Sequence, residues 1–372
     1  MAIVSSLYVH VPFCRHLCNY CDFYKRKLEP QSNQLKDYGV YLQDSWKRHE
    51  SLMREHSMTW SPFETIYLGG GTPSVWGSEG AESFASLWGG KIPLSTDCEF
   101  TFEVDPGAWD EETLTAWEKI GVNRYSVGTQ SLNPEFVKIR DRDHNREQTF
   151  ALLERLGGKN FSVDFLLGAP HSQSKKRDVT QELTELMKFK PSHVSLYILN
   201  PAAGYTLKQY IPNDEWSGEE YLKVSAYLRS QGFNHYEVSN FGKPGFESRH
   251  NLRYWLGENV AALGPTGTGY FAHNKVSALR YKWKPSSAEI EGENLAEKEL
   301  ILERLYLRLR LNLPFEESAI LPGHETAFHQ ILVSWQQRKL VEQLGKQWRM
   351  KPEGWVVLDS LINEVFGTIP NL

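Results

Sequence analysis

Cysteine is scarce in this sequence of 372 residues: it has four cysteines, and three of them stand within eight positions near the start. So few cysteines cannot form a disulfide framework for a chain of this size, and the cluster of three favours metal binding in a reducing compartment. The sequence also lacks an apolar run of the roughly 18 residues that a membrane span needs. Residues 1–13 have neither the basic stretch nor the small-residue cleavage site of a secretory signal. We therefore expect a cytoplasmic protein whose contact with any membrane is peripheral.

A net positive charge is absent as well. The formal net charge is −5, so no overall basic field attracts nucleic acid, which is excluded as the main partner. Internal repeats and low-complexity tracts are also missing from the sequence. The length suits one barrel-sized domain of about 250 residues with a smaller second domain.

Short apolar, β-branched runs recur in the first two thirds of the sequence, and stretches with helical spacing separate them. The predicted strands are residues 7–11, 65–68, 99–104, 124–127, 162–167 and 194–199, with 235–238 as a candidate seventh. The predicted helices are residues 35–54, 79–87, 111–120, 146–156 and 179–189. Strands that alternate with helices predict an α/β fold with a parallel (β/α) barrel, partial or complete. An open, doubly wound sheet is the weaker alternative.

The character of the sequence changes after residue 241. Residues 242–269 are rich in glycine and polar side chains and are predicted to be a loop. Residues 296–309 and 327–340 have the spacing of amphipathic helices, and residues 348–351 with 355–358 resemble a two-stranded wing. We expect a barrel domain at 1–241, a connecting segment at 242–290 and a small, helical, winged-helix-like domain at 291–372. Because no basic stripe runs along it, this last domain is expected to cover the barrel rather than bind DNA.

The three clustered cysteines directly follow the first predicted strand; they are Cys14, Cys18 and Cys21. Thiolates are suitable ligands for iron–sulfur clusters, zinc or Cu(I), and a cubane cluster held by only three of them leaves one iron open. Zinc with His10 or His16 as fourth ligand is the alternative, although the second knuckle usual in structural zinc sites is missing. Cys98 stands alone and is interpreted as a small buried hydrophobic residue. The C-x3-C-x2-C spacing, which is also the radical-SAM signature, favours a [4Fe-4S] cluster.

Glycines and polar side chains stand at or near the ends of the predicted strands. They are Gly70, Gly71, Thr72, Glu103, Gln130, Arg142 and Asp164. The working residues of a parallel α/β barrel gather at the carboxyl ends of its strands, where glycines let a ligand approach the backbone. Each residue alone would be interpreted as a cap, a tight turn or a surface ion pair. Together, beside a cysteine cluster, they predict a site for an amino-acid-like cofactor and its ribose.

Residues 8–14 and 21–23 resemble the radical-SAM group that contains oxygen-independent coproporphyrinogen III oxidase and its relative, the heme chaperone family HemW. The likeness continues to residues 349–361, so it covers nearly the whole sequence. Two details separate the relatives. Phe23 stands where the oxidase has a further cysteine, and residues 250–255 resemble the HNxxYW motif linked to heme binding in the chaperone. Both details favour the chaperone family.

The resemblance implies a radical-SAM fold, a [4Fe-4S] cluster, S-adenosylmethionine (SAM) and heme. Residues that match positions around the cluster-bound SAM of the oxidase are Tyr8, Gly70 and Glu103. Residues that match the lining of a second SAM there are Tyr20, Gly71, Thr72, Gln130, Arg142 and Asp164. The heme motif supplies His250 as candidate axial ligand, with Tyr254 and Trp255 flanking the porphyrin. Without the resemblance, His250 would be interpreted as a loop cap and the two rings as anchors to the core.

Two positions depart from the group's pattern. Asp141 stands where the loop usually has a glycine before its arginine, and residues 264–269 lack the histidine of a GxGAHS-like run. The resemblance leaves two functions. The first is a heme chaperone that delivers heme to an acceptor, expected to be a membrane respiratory protein. The second is a radical-SAM enzyme that decarboxylates a porphyrinogen, as the oxidase does, and this activity is not expected here.

Overall fold

The computed structural model describes residues 2–87 and 92–369. All six predicted strands and all five predicted helices are present, although the strands expected at 7–11, 65–68 and 99–104 begin five to seven residues earlier. The elements of this first part are β1 (Ala2–Val11), β2 (Phe13–Cys14), β3 (Arg26–Lys27), α1 (Gln34–Glu55), β4 (Met58–Gly70), α2 (Gly77–Ala85), β5 (Leu94–Val104), α3 (Glu111–Lys119), β6 (Arg124–Gln130), α4 (Pro134–Ile139), α5 (Arg146–Arg155), β7 (Asn160–Leu167), α6 (Val179–Leu186), β8 (His193–Ile198) and α7 (Asp214–Ser230).

The second part differs more from expectation. Its elements are β9 (Asn234–Glu237), β10 (Asn240–Gly242), α8 (Arg249–Trp255), β11 (Ala261–Leu263), β12 (Thr268–Ala272), β13 (Ala278–Trp283), β14 (Ile290–Leu295), α9 (Glu297–Arg308), α10 (Glu317–Ile320), α11 (Glu325–Gln337), β15 (Val341–Leu344), β16 (Gln347–Met350), α12 (Pro352–Val356) and α13 (Leu358–Thr368). The predicted loop at 242–269 is wrong, because α8, β11 and the start of β12 lie there. The predicted wing is right in one strand and wrong in the other: residues 348–351 correspond to β16, which pairs with β15, whereas residues 355–358 are mostly helical because Pro352 begins a helix there.

The parallel sheet decides between the two expected architectures. Its strand order is β11-β1-β4-β5-β6-β7-β8-β10-β9, with β1 and β4–β8 parallel and in chain order. A doubly wound sheet would reverse its order at a switch point, and this sheet does not. Neighbouring strands lie about 4.8 Å apart, so β4 and β8 would be about 19 Å apart in a flat sheet. Yet Tyr67 of β4 and Tyr197 of β8 line one cavity, so the sheet curls into a partial barrel, and in the described residues β9 and β11 do not pair to close it.

The barrel strands alternate between an apolar outer face and a polar inner face. Side chains such as Ile66, Phe102 and Val163 are fully buried in the main core cluster, between the sheet and its helices. The alternate positions carry small polar side chains, also buried, which are Thr65, Thr101, Ser126, Ser162 and Ser195. Because successive side chains of a strand point to opposite faces, these hydroxyls lie inside the barrel. Small side chains leave the inside of the barrel room for a ligand.

The last part of the chain has an apolar core of its own. It includes Leu305, Phe328, Trp335, Trp348 and Ile362. This region is joined to β9 by backbone hydrogen bonds from Val238 to Arg310 and from Asn312 to Tyr236. The expected domain limits at 241 and 290 stay predictions. Within residues 2–87 and 92–369, none of the helices combines the length and apolar character of a membrane span.

Candidate functional site

The three clustered cysteines lie on a loop at the mouth of the barrel. Cys14 belongs to β2, which pairs in parallel with β3, so that Cys14 stands opposite Lys27. Residues 15–25 run between these two short strands. Cys14 is buried, Cys18 and Cys21 are half-buried, and all three are free thiols. The paired strands therefore fix both ends of the loop beside the end of β1.

Two of the thiols have a polar neighbour. The Thr72 hydroxyl donates to Cys14 Sγ at 3.4 Å, and Arg142 Nη1 lies 3.9 Å from Cys18 Sγ. Burial raises the pKa of the Cys14 thiol to about 11, and burial raises the pKa of Cys18 as well. A metal ligand must be the thiolate, so binding a cationic centre would release these protons. The guanidinium and hydroxyl beside the sulfurs favour the same charged form.

The histidines considered as zinc ligands have other partners. His10 Nε2 is bonded to the Tyr24 carbonyl at 2.9 Å, and its Nδ1 is bonded to the Tyr8 hydroxyl at 3.1 Å. His16 Nε2 lies 3.0 Å from the Asp141 carboxylate.

Asp141 has a φ of 54°, which glycine adopts freely and aspartate tolerates. The departure at this position therefore keeps the backbone shape of a glycine.

The glycine turn after β4 packs against the base of the cysteine loop. Gly70 has a φ of 118°, a region that side chains disfavour. A Cβ atom on Gly71 would lie 2.7 Å from the Phe13 carbonyl oxygen and 3.0 Å from Cys14 Sγ. The Gly71 N–H donates to the Val11 carbonyl at 2.8 Å, and the Thr72 N–H donates to the Phe13 carbonyl at 2.7 Å. The turn is thus held by backbone bonds in a place where only glycine fits.

A first cavity of about 430 Å³ opens beside the cysteine loop. This volume is within the range of roughly 300–1,000 Å³ that small-molecule sites occupy. Its lining includes all three clustered cysteines and eight of the nine predicted SAM residues, namely Tyr20, Gly70, Gly71, Thr72, Glu103, Gln130, Arg142 and Asp164. Tyr8 lines an adjoining cavity instead. Cys98 is buried in β5 and does not belong to the lining of the first cavity.

Two carboxylates border the first cavity inside the barrel. Glu103 accepts from the Tyr67 hydroxyl at 2.8 Å and from the Gly70 N–H at 3.0 Å. Asp164 accepts from the Ser126 hydroxyl at 2.7 Å and from that of Ser162 at 3.0 Å. Burial raises the pKa of Glu103 to about 7, and burial raises the pKa of Asp164 too. A cationic ligand would offset this cost of burial, so the two acids suit an ammonium or sulfonium group.

Arg142 brings a positive charge to the same cavity. Its Nη2 pairs with the Asp105 carboxylate and donates to the Gly128 carbonyl at 2.9 Å. Gln130, at the end of β6, adopts a left-handed φ of 60°, and its carbonyl accepts from Arg140 at 3.3 Å. Acidic side chains and a fixed guanidinium in one cavity can bind the ammonium and the carboxylate of an amino acid.

A second cavity of about 670 Å³ adjoins the first. The residues shared by both linings are Asp22, Phe23, Tyr67, Gly70, Glu103 and Tyr197. Tyr8, His250 and Tyr254 line the second cavity. The predicted SAM residue Tyr8 and two of the three predicted heme residues therefore meet at one site.

His250 is enclosed in the second cavity's wall. Its Nδ1 is bonded to the Thr65 hydroxyl at 2.8 Å, while its buried Nε2 has no hydrogen-bond partner among the described residues. The rings of Tyr67 and Tyr254 have their centroids 5.3 Å and 5.6 Å from that of His250, and the Tyr8 ring is 6.4 Å away. Because Nε2 is buried, a ligand would reach it only if part of this wall moved.

Trp255 lies elsewhere. It is absent from the lining of both described cavities, and the Arg310 guanidinium lies 5.7 Å from its ring centroid. The structure therefore separates Trp255 from His250 and Tyr254, because successive positions of a helix point in different directions.

Comparison with known proteins bears on this site. Residues 8–184 match the Radical SAM superfamily. The heme chaperone HemW of Lactococcus lactis is 33% identical over 322 residues, which cover 82% of this chain and 81% of that protein. The chain belongs to the HemW family. Within that family, HemW of Synechocystis is 31% identical over 82% of this chain and 78% of its own length. The radical S-adenosyl methionine domain-containing protein 1, mitochondrial, of Bos taurus is 30% identical over 96% of this chain and 86% of its own length.

A solved structure has the same fold as this HemW-family chain. It is coproporphyrinogen III oxidase (HemN) of Escherichia coli, described as a radical SAM enzyme, with a TM-score of 0.77 and 18% identity. The match covers 97% of this chain and 89% of that one. The expected radical-SAM α/β fold is therefore confirmed, and at this identity the likeness concerns the fold alone.

The residues of this HemW-family chain fit the cofactors that the family implies. Among the described residues, no three histidine, cysteine or acidic side chains gather around one point as ligands of a single ion. A cubane cluster instead spreads its thiolates over separate irons. Three free thiols, a glycine turn that a Cβ would fill and a cavity of ligand size suit a cluster and a small cofactor.

Tyr67, Tyr197 and Lys282 are among the residues of the two cavities that escaped the sequence reasoning. Tyr67 and Tyr197 stand two positions from the inward-facing Thr65 and Ser195, so the alternation of polar and apolar residues along β4 and β8 could have identified them.

Proposed function

We propose that the chain is a heme chaperone, which holds heme beside a SAM-ligated [4Fe-4S] cluster and passes heme to an acceptor protein. The observation that carries this proposal is the pair of adjoining cavities. One is lined by three cysteines and strand-end acids, and the other by two histidines and several tyrosines. The name of the HemW relatives supports heme as the cargo.

Cys14, Cys18 and Cys21 are the proposed cluster ligands, which leave one iron for SAM. When bound, the cluster supplies an electron and an open iron site. In the first cavity, the carboxylates of Glu103 and Asp164 are suited to the ammonium and ribose hydroxyls of SAM, and Arg142 to its carboxylate. Other predicted residues complete the wall; they are Tyr20, Gly70, Gly71, Thr72 and Gln130.

The second cavity is the proposed place for heme. Tyr8, Tyr67 and Tyr254 offer aromatic faces to a porphyrin, and His250 is the proposed axial ligand. Burial lowers the pKa of His250 to about 3, so its imidazole is neutral, as a heme ligand must be. When Nδ1–H donates to the Thr65 hydroxyl, the Nε2 lone pair is left for iron. Because Nε2 is buried, heme binding would displace a side chain of the cavity wall.

The acceptor is proposed to be a membrane respiratory protein, which the chain would meet at the cytoplasmic surface. Delivery needs heme to be held near the protein surface rather than deep in a core. Phe23 and Tyr197, which line both cavities, are 69% and 42% exposed. The proposed heme cavity is therefore open to solvent, where an acceptor can reach it.

Heme titration of the anaerobically reconstituted chain tests the proposal. We expect about one heme per chain and a Soret band, and His250→Ala should shift or weaken that band because it removes the iron ligand. Trp255→Ala is the matched control from the same helix, and it should lower stability while leaving the band in place. Incubation with coproporphyrinogen III, SAM and a reductant should yield no protoporphyrinogen.

A chain that binds no heme but decarboxylates coproporphyrinogen III would replace the chaperone proposal with the enzyme. An unchanged Soret band in His250→Ala would keep the chaperone and contradict the assignment of the ligand.

A further inference from the structure

The second cavity has one cationic side chain in its described lining. Lys282, from β13, stands at the polar part of the wall with Thr266 and Thr268. The acidic side chains of the same lining, Asp22 and Glu103, belong to the cysteine loop and to the end of β5. The charges of this cavity are therefore separated: the acids lie on the side shared with the first cavity, and the cation lies on the small sheet opposite.

Lys282 also differs from the cations two positions before and after it. Arg280 of β13 pairs with Glu293 and with Glu303, and Lys284, just after β13, pairs with Glu289 at 2.8 Å. Among residues 2–87 and 92–369, the Lys282 ammonium group has no ion pair or hydrogen bond, although Glu291 stands opposite it in the register of β13 and β14. Two of these three cations are thus neutralised within the protein, and Lys282 borders a cavity.

We infer that Lys282 binds a carboxylate of the molecule that occupies the second cavity. The inference rests on the proposed function and specifies the cargo: a flat, aromatic molecule that carries at least one free carboxylate. Tyrosine rings line one part of the cavity and the exposed Lys282 lines another, so the apolar body of such a ligand lies against rings while its charge stays near water. The heme propionates have this chemistry.

The wall that carries Lys282 is fixed to the wall that carries His250. The Tyr254 hydroxyl donates to the Thr268 carbonyl at 3.3 Å, and Thr268 is the register partner of Lys282 across β12 and β13. His250, the proposed iron ligand, and Lys282, which is proposed to bind a carboxylate, therefore lie on connected elements. The heme would then be held at two positions, its iron and a carboxylate.

Comparison of hemin with hemin dimethyl ester isolates the carboxylate contact. Both are titrated into the full-length, reconstituted chain and followed by Soret absorbance. Lys282→Ala should raise the Kd for hemin about threefold to tenfold. It should leave the Kd for the ester within about twofold because the ester has no free carboxylate for Lys282 to bind. Lys282→Glu should weaken hemin further and again spare the ester. Lys275→Ala, an exposed lysine of the β12–β13 turn that does not line the cavity, is the matched control and should change neither Kd.

The inference is overturned if Lys282→Ala binds hemin as tightly as the parent, or if it weakens hemin and ester equally. In either case the parent still binds heme and the chaperone proposal stands. A parent chain that binds neither compound instead removes the proposed function, and the inference about Lys282 with it.

Discussion

Replacing Gly71 with alanine should disable cluster binding while the chain still folds. The new Cβ would lie 2.7 Å from the Phe13 carbonyl oxygen and 3.0 Å from Cys14 Sγ. The turn cannot simply move away, because the Gly71 and Thr72 amides are bonded to the Val11 and Phe13 carbonyls at 2.8 Å and 2.7 Å. The strain must therefore displace β2, and with it the Cys14 thiol.

The size of the effect follows from the contact. An extra methyl group in a tightly packed place costs about 1–3 kcal/mol in the free energy of unfolding, which a folded chain of this size should survive. With the Cys14 thiol displaced, the three cysteines cannot bind one cluster together. The iron content should therefore fall well below that of the parent, which is expected to be about four irons per chain. Iron and sulfide are measured after anaerobic reconstitution, together with a thermal melt.

Gly367→Ala is the control for this experiment. Gly367 lies in α13, and a Cβ there would meet no atom within 4 Å. Alanine is favoured over glycine in a helix by about 1 kcal/mol, so this variant should be at least as stable as the parent and bind the same iron. A Gly71→Ala chain with the parent's iron content and SAM affinity would show that the turn yields, and would refute the requirement for glycine.

Three further predictions concern the first cavity. The iron content should be abolished by each of Cys14→Ala, Cys18→Ala and Cys21→Ala, and retained in Cys98→Ala, which changes a buried cysteine outside the loop. A chain that binds stoichiometric zinc and has no iron-dependent colour would contradict the cluster. Glu103→Gln should weaken SAM binding, as measured by calorimetry, without changing the iron content. Burial raises the pKa of Glu103 from 4.5 to about 7, so the folded chain holds this proton more tightly and loses stability as the pH rises through that interval. The free energy of unfolding of the parent should fall by up to about 3 kcal/mol, relative to that of Glu103→Gln, between pH 4.5 and 7. Parallel pH profiles of thermal melting for the two chains would contradict this.

The barrel was predictable because its strands leave a strong pattern. Runs such as 99–104 and 162–167 carry apolar side chains that pack against helices, and they recur between helical stretches of regular length. The elements after residue 241 were harder to predict. β11 has three residues in a glycine-rich stretch and exists because it pairs with β1, a partner some 250 residues away in the sequence. The alternation of buried Leu279, Tyr281 and Trp283 could have revealed β13.

The candidate site was predictable where residues stand at the end of a strand or directly after it. Gly70, Gly71, Thr72 and Glu103 were found in this way, because the carboxyl ends of parallel strands meet at one edge. Lys282 was not, since its place in the second cavity depends on how a small antiparallel sheet packs on the barrel. The separation of Trp255 from His250 likewise depends on the rotation of a single helix, α8.

The common wall of the two cavities has a thermodynamic consequence. Tyr67, Glu103 and Tyr197 face both spaces, so a molecule in one space that shifts these side chains also changes the free energy of binding in the other. Such coupling is reciprocal: if an occupant of the first cavity changes affinity in the second by some factor, an occupant of the second changes affinity in the first by the same factor. The state of the cofactor would thereby set how tightly the cargo is retained, and the arrival of cargo would report back to the cofactor.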